Sequence, residues 1–503
     1  MRPFVSVAAP EALQVPVPGA EVRSRGLWLA LACALPLLVS APTVGDPFVI
    51  AEDASNAAIW GLGAKNLLTL GWSEALRGAR VAPDPGTMGN GVYAHHPPLA
   101  VWLMTVPVLL GGWEGFPRLL ALLCCAATLA LLFRMLRRFF DDDVALAAVA
   151  AVAACGFCLH SARMLTTLTL AAPLFVALLD AGLTWRATGK LPWWATPLAA
   201  LLMLSAWDGF IGAAALLVAG YKSSGYKSSD GSSHAAGYKS SDGSSRRALL
   251  APLGAATAAA LFVGWHLVDA TGGTSELAWQ ASWRSSGVSL ADWAGYQATA
   301  LLPRLGPLTL AALVLAPLLL RRSAPAGALA TMAVLAAPGV LMLLVFRQGA
   351  FKHPFWGYQL LLPAAFALAL VLSKLTGNAR RAALVALALQ GSALVVWTVR
   401  TLDEEHRAST AAKMVARHFS GSREVPMFTP GGFHPWIPWN TGATNLKVSS
   451  LEELKKLSPE RLLVADAKLL AKLSCAPPAA REASADGRWL VSTATEVLRA
   501  CAP

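Results

Sequence analysis

Long apolar stretches recur along this chain, and they constrain its fold more than any other feature. Many of them approach the roughly 20 residues that an α-helix needs to cross a lipid bilayer. Charged residues make up only 14% of the 503 residues, against about 25% in soluble domains. Because so little charge cannot cover a water-exposed surface, we exclude a soluble globular protein and predict a multi-spanning α-helical membrane protein.

The apolar pattern predicts about eleven spans. Leu27 to Val44 is either a cleaved signal peptide or the first span, and the long segment before it, together with Pro42, favours a span. Pro192 to Gly220 holds either one long helix or two helices hinged at Asp208-Gly209, and we count two. The other predicted spans are Leu119–Phe133, Val144–His160, Leu165–Trp185, Ala248–Val268, Leu305–Leu320, Ala326–Phe346, Trp356–Leu372 and Ala382–Val399.

Basic residues lie in short clusters between these spans, and they predict the orientation. Lys and Arg are enriched in cytoplasmic connections of membrane proteins, which here are Arg134/Arg137/Arg138, Arg186/Lys190, 222–247, Arg321/Arg322 and Lys374/Arg380/Arg381. Pro97 to Gly112 is apolar, but a crossing there would reverse this pattern, so we predict an interfacial juxtamembrane helix. The formal net charge of +12 is not gathered on one soluble face, so we expect no nucleic-acid partner.

The predicted domain organisation follows from this orientation. Residues 1–26 form a cytoplasmic N-terminus, residues 27–400 form the membrane domain, and residues 401–503 form an extracytoplasmic domain. Within the membrane domain, residues 45–117 form the first extracytoplasmic loop, and residues 220–247 form a Ser/Gly-rich cytoplasmic loop of low complexity to which we assign no function.

The tail after Thr401 is predicted to be a small α/β domain. Helix-like patterns at Ser409–Phe419 and Leu451–Leu457 alternate with strand-like patterns at Val425–Thr429 and Arg461–Ala465. Its two cysteines, Cys475 and Cys501, either form a disulfide or stay free, since sequence alone does not fix pairing. The other cysteines lie in apolar spans and are predicted to be packing residues: Cys33, Cys124, Cys125, Cys155 and Cys158.

The first outer loop carries the densest polar chemistry in the chain. Glu52 and Asp53 follow the first span directly, and a carboxylate there can act as a general base or bind a divalent metal. The alternative is structural, because Asp53 also begins a predicted helix from Ala54 to Leu70 and an acid is favourable at that end. Later in the loop, His95 and His96 are adjacent, so their side chains diverge and are a poor pair for one metal ion.

Several separate motifs together resemble glycosyltransferases of the GT-C type that use polyprenyl-phosphate sugars, namely the aminoarabinose transferases and protein O-mannosyltransferases. Those relatives follow the first span with an acidic pair that opens a helix, then a Pro-Pro-Leu element, an Arg-Leu start of the second span, and an aromatic entry to a late span. The matching segments here are Glu52-Asp53-Ala54, 64–68 (Ala-Lys-Asn-Leu-Leu), His96-Pro97-Pro98-Leu99, Arg118-Leu119 and His353–Tyr358.

The resemblance implies a GT-C-like bundle that transfers a sugar from a polyprenyl-phosphate donor to an acceptor hydroxyl on a glycan, lipid or protein. The base is Asp53 or Glu52, and direct displacement inverts the anomeric configuration. The implied substrate-binding residues are His95, His96, Arg163, Asp208, Arg347, Lys352, His353 and Tyr358. Each cation among them has interfacial snorkelling as its alternative role, and Asp208 either orients the acceptor or caps a helix.

The resemblance also implies a cellular location, and it leaves the question of a cofactor open. We expect a multi-pass protein of a bacterial-type inner membrane that acts on the cell envelope. No cofactor is certain; a divalent metal is an option, but the second acidic motif of many relatives is replaced by threonines after Arg163. The competing hypotheses are a transporter or lipid-linked sugar flippase, and a sensor whose tail binds a ligand.

Overall fold

The computed structural model describes residues 20–48, 52–70, 79–80, 92–93, 97–188, 190–206, 249–271, 275–429 and 436–502, with isolated positions between 209 and 214 and residue 434. Helices dominate the first 419 residues. In chain order they are α1 (Ala20–Ser40), α2 (Glu52–Leu70), α3 (Leu99–Leu109), α4 (Gly115–Leu136), α5 (Asp142–Ala153), α6 (Gly156–Leu159), α7 (Thr167–Thr188), α8 (Ala195–Ser205), α9 (Leu250–Thr271), α10 (Ser275–Ser285), α11 (Leu290–Leu305), α12 (Pro307–Leu319), α13 (Ala328–Val345), α14 (Arg347–Lys352), α15 (Leu361–Lys374) and α16 (Gly377–Phe419).

Within the described residues, six helices are long and apolar enough to cross a membrane, or eight when each of two bent pairs counts as one span. The six are Arg25–Thr43, Gly115–Leu136, Thr167–Thr188, Ala328–Val345, Phe355–Lys374 and Gly377–Phe419. The predicted multi-spanning helical class is confirmed. The count of eleven stays a prediction: the shorter helices Ala195–Ser205 and Leu250–Trp265 lie at two predicted spans, and Asp208 lies outside the described residues.

One predicted straight span is bent instead, and a second bend lies at the start of another. The sequence predicts one helix from Val144 to His160, but α5 ends at Ala153 and the chain turns by 61° into Gly156–Arg163. A Cβ at Gly156 would lie 2.5 Å from the carbonyl oxygen of Pro303, so the close packing at this bend requires glycine. A second bend of 111° separates α11 from α12, across Gly306 with a φ of 81°.

The last span is much longer than predicted. The sequence predicts a span over Ala382–Val399 and a separate helix over Ser409–Phe419, but α16 is one helix of 43 residues. At 1.5 Å per residue it extends about 65 Å, roughly twice the hydrocarbon thickness of a bilayer. The helix therefore links the bundle directly to the tail.

The tail contains a five-stranded sheet, as predicted for an α/β unit. Two short antiparallel strands, β1 (Ala79–Arg80) and β2 (Val92–Tyr93), precede this sheet in the chain. The sheet is formed by β3 (Glu424–Phe428), β4 (Thr444–Val448), β5 (Leu462–Asp466), β6 (Glu482–Ala483) and β7 (Trp489–Thr493). Their order is β4-β3-β5-β7-β6; β4, β3 and β5 are parallel, and β7 is antiparallel to both of its neighbours. Cys475 and Cys501 form a disulfide, which decides the pairing that the sequence left open. The other five cysteines are free and at least partly buried, as predicted. The helices of the tail are α17 (Trp436–Thr441), α18 (Leu451–Lys455), α19 (Ala467–Lys472) and α20 (Ala494–Ala500).

Basic residues from separate connections lie at one end of the bundle, which we call the basic end. Asp180 is buried there, 3.1 Å from Nε of Arg134 and 2.7 Å from Nη2 of Arg138. Arg380 lies 3.5 Å from Asp141 at the same end. We call the opposite end, where α1 leads towards α2 and α16 leads into the tail, the loop end.

Candidate functional site

Helix α2 begins at Glu52, so the predicted acidic pair occupies its first turn. The side chains of Glu52 and Asp53 lie outside the described part of the chain, but the rest of the helix is firmly positioned. Trp60 lies seven residues after Asp53, about 10 Å along the axis. Its indole Nε1 donates a hydrogen bond of 3.1 Å to the carbonyl oxygen of Leu165, and its side chain is buried.

Another face of α2 packs against α17 of the tail. Gly61 lies under the ring of Trp439, where any Cβ would overlap the indole. The Nζ of Lys65 donates to the carbonyl oxygen of Trp439 at 3.2 Å and lies 4.0 Å from the ring centroid. The indole Nε1 of Trp439 in turn donates to Glu114 at 3.1 Å. Burial lowers the pKa of Lys65, and Glu114 partly opposes that shift.

These contacts fix the acid-bearing helix between the bundle and the tail. Asn440 adds a further link, because its Nδ2 donates to the carbonyl oxygen of Phe48 at 3.0 Å, just before α2. The tail therefore helps to position the first outer loop, a role that sequence patterns did not reveal.

Among the predicted substrate-binding cations, Arg163 has the most fully described surroundings. It is buried at the loop end, where Nη1 donates to the hydroxyl of Thr43 at 2.8 Å and Nη2 lies 3.2 Å from a carboxylate oxygen of Glu405. The same carboxylate lies 2.8 Å from Nε2 of His160. Glu405 thus gathers two cationic or titratable side chains from the bent segment after α5.

A second cluster fastens the end of α1. Arg118 donates from Nη1 to the carbonyl oxygen of Val44 at 3.0 Å and to that of Asp46, and its guanidinium lies 5.1 Å from the ring centroid of Phe48. The carboxylate of Asp46 lies 2.9 Å from Nδ1 of His406. Arg118 belongs to the Arg-Leu motif, whereas His406 and Glu405 were missed; their only sequence signal is the Asp-Glu-Glu-His run after the last span.

The late predicted residues lie on α14, on the 3₁₀ helix Pro354–Leu360, and at His353 between the two. His353 stacks on Trp356 with ring centroids 6.0 Å apart, and Arg347 is half-buried. Tyr358 is only 1% exposed and contacts Phe157 edge-on at 6.2 Å, so its ring packs inside the bundle.

The remaining predicted residues are not described. His95, His96 and Asp208 lie outside the described residues, and of Lys352 only the backbone is described, at the last position of α14. The site assignments as a set therefore stay predictions. Among the described residues, no three His, Cys, Asp or Glu side chains are close enough to hold a metal ion. The metal option concerns Glu52, Asp53 and the histidines, which that finding does not cover.

Solved structures provide a comparison for this arrangement. The chain is similar to ArnT from Cupriavidus metallidurans bound to undecaprenyl phosphate, with a TM-score of 0.60 and 15% identity over 95% of this chain and 99% of that chain. The chain has the GT-C fold.

The chain is also similar to ArnT from Cupriavidus metallidurans in the apo state. That comparison gives a TM-score of 0.55 and 14% identity over 95% of this chain and 100% of that chain. No protein-family model and no curated protein matches the chain. The predicted GT-C fold is confirmed, and it spans both the bundle and the tail. At this identity the likeness concerns architecture alone.

Proposed function

We propose that this protein is an integral membrane glycosyltransferase that transfers a sugar from a polyprenyl-phosphate donor to an acceptor hydroxyl at the loop end, on the extracytoplasmic face of a bacterial-type inner membrane. The observation that carries the proposal is the fixed position of α2, whose first turn contains Glu52 and Asp53 and whose body is held by Leu165 and Trp439. A catalytic carboxylate needs such a rigid support to meet its substrate in one geometry. The full-length likeness to a protein bound to undecaprenyl phosphate supports the donor class.

The reaction that fits these residues is a single displacement. Asp53 or Glu52 removes the proton from the acceptor hydroxyl, and the oxygen attacks the anomeric carbon from the face opposite the phosphate. The bond between that carbon and the phosphate oxygen breaks, so the polyprenyl phosphate leaves with the electron pair and the anomeric configuration inverts. The proton stays on the carboxylate until it is released to water.

The leaving phosphate gains negative charge and needs cations nearby. Arg163, Arg347, Lys352, His353 and His96 are the proposed candidates. Arg163 also pairs with Glu405, which holds its guanidinium in place. We assign acceptor orientation to Asp208 and His95, and we assign Tyr358, whose buried ring packs against Phe157, to the support behind the site.

Conservative substitutions in the acidic pair test this proposal. We expect Glu52→Gln with Asp53→Asn to lower the rate of sugar transfer from a polyprenyl-phosphate donor by about 10² to 10⁴-fold, the usual contribution of a general base. The single variants identify which acid is the base. The matched control is Asp403→Asn, since Asp403 is an exposed acid whose ion pair with Arg407 contributes little.

Thermal unfolding of each purified variant shows whether the fold is intact. If the folded double variant transferred sugar at the wild-type rate, neither acid would take part in the mechanism. Transport of a lipid-linked sugar across vesicles with no glycoside formed would support the flippase instead.

A further inference from the structure

A cleft at the basic half of the bundle lies far from the residues assigned to sugar transfer. It has a volume of about 390 Å³ and opens between α12, α15 and α16. Every residue that lines it is Leu, Val or Ala. Along α12 it extends from Leu308 to Leu320, a length of about 18 Å.

The structure explains why the cleft forms on this side. Gln390 of α16 is bonded to α12 near its first residues: its Oε1 accepts from the backbone N–H of Leu308 at 2.7 Å, and its Nε2 donates to Thr309 at 2.9 Å. Towards the basic end α16 lines the cleft with Leu387 and the small Ala386 and Ala383, and the two alanines leave space against α12 and α15. Helices α12 and α16 are therefore joined at Gln390 and separated between Gln390 and the basic end.

Cations lie close in sequence to the residues at the basic end of this cleft. Arg321 and Arg322 directly follow the lining residue Leu320, Lys374 lies two residues after Leu372, and Arg381 lies two residues before Ala383. All four are exposed. Among the residues that the structure describes, none of the four has a carboxylate within 4.0 Å.

The nearby acids already have partners. Asp141 lies 3.5 Å from Arg380, Asp142 lies 2.6 Å from Arg137, and Asp143 lies 3.1 Å from Arg25. They therefore leave the positive charge of the four exposed cations uncompensated.

We propose that this cleft binds one anionic phospholipid, with its acyl chains in the cleft and its phosphate among Arg321, Arg322, Lys374 and Arg381. The cleft is about as long as one leaflet of a bilayer core is thick, roughly 15 Å, which suits a lipid whose headgroup stays at the basic end. Lys and Arg near a membrane surface attract anionic headgroups, and a basic pocket between spans selects them over zwitterionic ones. The site is independent of the proposed sugar transfer, because its residues and the loop end belong to opposite ends of the bundle.

Native mass spectrometry of the full-length protein in detergent tests the site, with equal amounts of dioleoylphosphatidylglycerol and dioleoylphosphatidylcholine added. We expect the protein to retain one phosphatidylglycerol in preference to phosphatidylcholine. Arg321→Gln with Arg322→Gln should lower the affinity for phosphatidylglycerol about 30-fold, because each near-surface cation contributes roughly fivefold. The control, Arg186→Gln with Lys190→Gln, removes the same charge from another exposed connection and should leave the affinity unchanged.

A second pair of variants tests the apolar part. Ala386→Trp fills the cleft and should abolish the preferential retention, whereas Val385→Trp places the same ring on a neighbouring residue that is 59% exposed and does not line the cleft. Equal retention of both lipids by the wild-type protein overturns the proposal. Equal loss in the two charge variants overturns it as well, and so does a dimer that only Ala386→Trp dissociates, since the cleft would then bind a second copy.

Discussion

At the residue scale, Glu405 holds together segments that are far apart in sequence. Its carboxylate lies 3.2 Å from Arg163 and 2.8 Å from His160, two residues that are at most 7% exposed. Removing one member of such a pair leaves the other buried without its counter-charge, which is more costly than losing a surface ion pair.

We therefore expect Glu405→Gln to lower the free energy of unfolding by about 2 to 3 kcal/mol, somewhat less than for a fully buried pair because Glu405 is partly exposed. The midpoint of thermal unfolding in detergent measures this effect. Glu404→Gln is the matched control, since Glu404 is the exposed neighbour in the same helix. Identical midpoints for the two variants would show that the Glu405 pair contributes nothing to stability.

His434 makes the tail sensitive to pH. Burial lowers the pKa of His434 from its ordinary 6.5 to about 4. The positive charge of Arg488 contributes to this lowering of the pKa, and the negative charge of Asp466 partly opposes the shift. Because the folded pKa lies below the unfolded one, the unfolded chain binds the proton first as the pH falls. The stabilising contribution is complete above pH 6.5 and is lost towards pH 4, by about 2 kcal/mol after allowance for partial exposure.

The comparison with His434→Gln isolates this contribution. Hydrogen bonds also lower the pKa of Glu452, Glu453 and Glu496, so stability should fall further below pH 4.5 in both proteins. We expect the difference in unfolding midpoint between wild type and variant to shrink from pH 7 to pH 4. A difference that stays constant over that range would contradict the assigned pKa.

At the element scale, α2 depends on a glycine for its contact with the tail. A Cβ on Gly61 would overlap the ring of Trp439, which is also held by Lys65 and Glu114. We expect Gly61→Ala to lower the free energy of unfolding by roughly 1 to 3 kcal/mol, the usual cost of overpacking.

Gly254→Ala is the control for helix propensity, because Gly254 lies in α9 with no atom within 4 Å of its Cβ position. That change should be neutral or slightly stabilising. Hydrogen exchange of α2 and α17 reports the local effect of Gly61→Ala. Unaltered exchange in both helices would contradict the close contact.

The elements that sequence predicted well are those with a local signal. Apolar runs, the juxtamembrane stretch and the alternation in the tail marked helices and strands close to their observed bounds, as α3 (Leu99–Leu109) and β3 (Glu424–Phe428) show. Hydropathy records how apolar a segment is and not its direction, so the bends near Gly156 and Gly306 were missed. The same limitation hid the continuity of α16, whose polar half resembles a separate surface helix.

The candidate site was predictable only in part, for a physical reason. Its acids and cations stand in short motifs, which sequence reveals. Its supporting contacts join distant residues, such as His160 and Glu405, 245 positions apart, or Lys65 and Trp439, 374 positions apart. Such pairs arise only when the bundle and the tail have packed together.

At the scale of the whole molecule, the bundle and the tail act as one unit at the loop end. The tail sheet follows α16 without a break, and α17 contacts the helix that carries the acidic pair. The GT-C fold, shared with ArnT over 95% of the chain, includes both parts. This arrangement accounts for why the proposed chemistry lies where bundle, first loop and tail meet.

The most direct test of the account is sugar transfer by the purified full-length protein in lipid vesicles. Polyprenyl-phosphate-linked pentoses and hexoses of known anomeric configuration serve as donors, with cell-envelope glycolipids as acceptors, and nuclear magnetic resonance identifies the product. We predict a new glycosidic bond of inverted configuration, with one polyprenyl phosphate released for each sugar transferred, and transfer about 10² to 10⁴-fold slower with Glu52→Gln and Asp53→Asn. A product of retained configuration, or equal transfer by that double variant, would contradict the account.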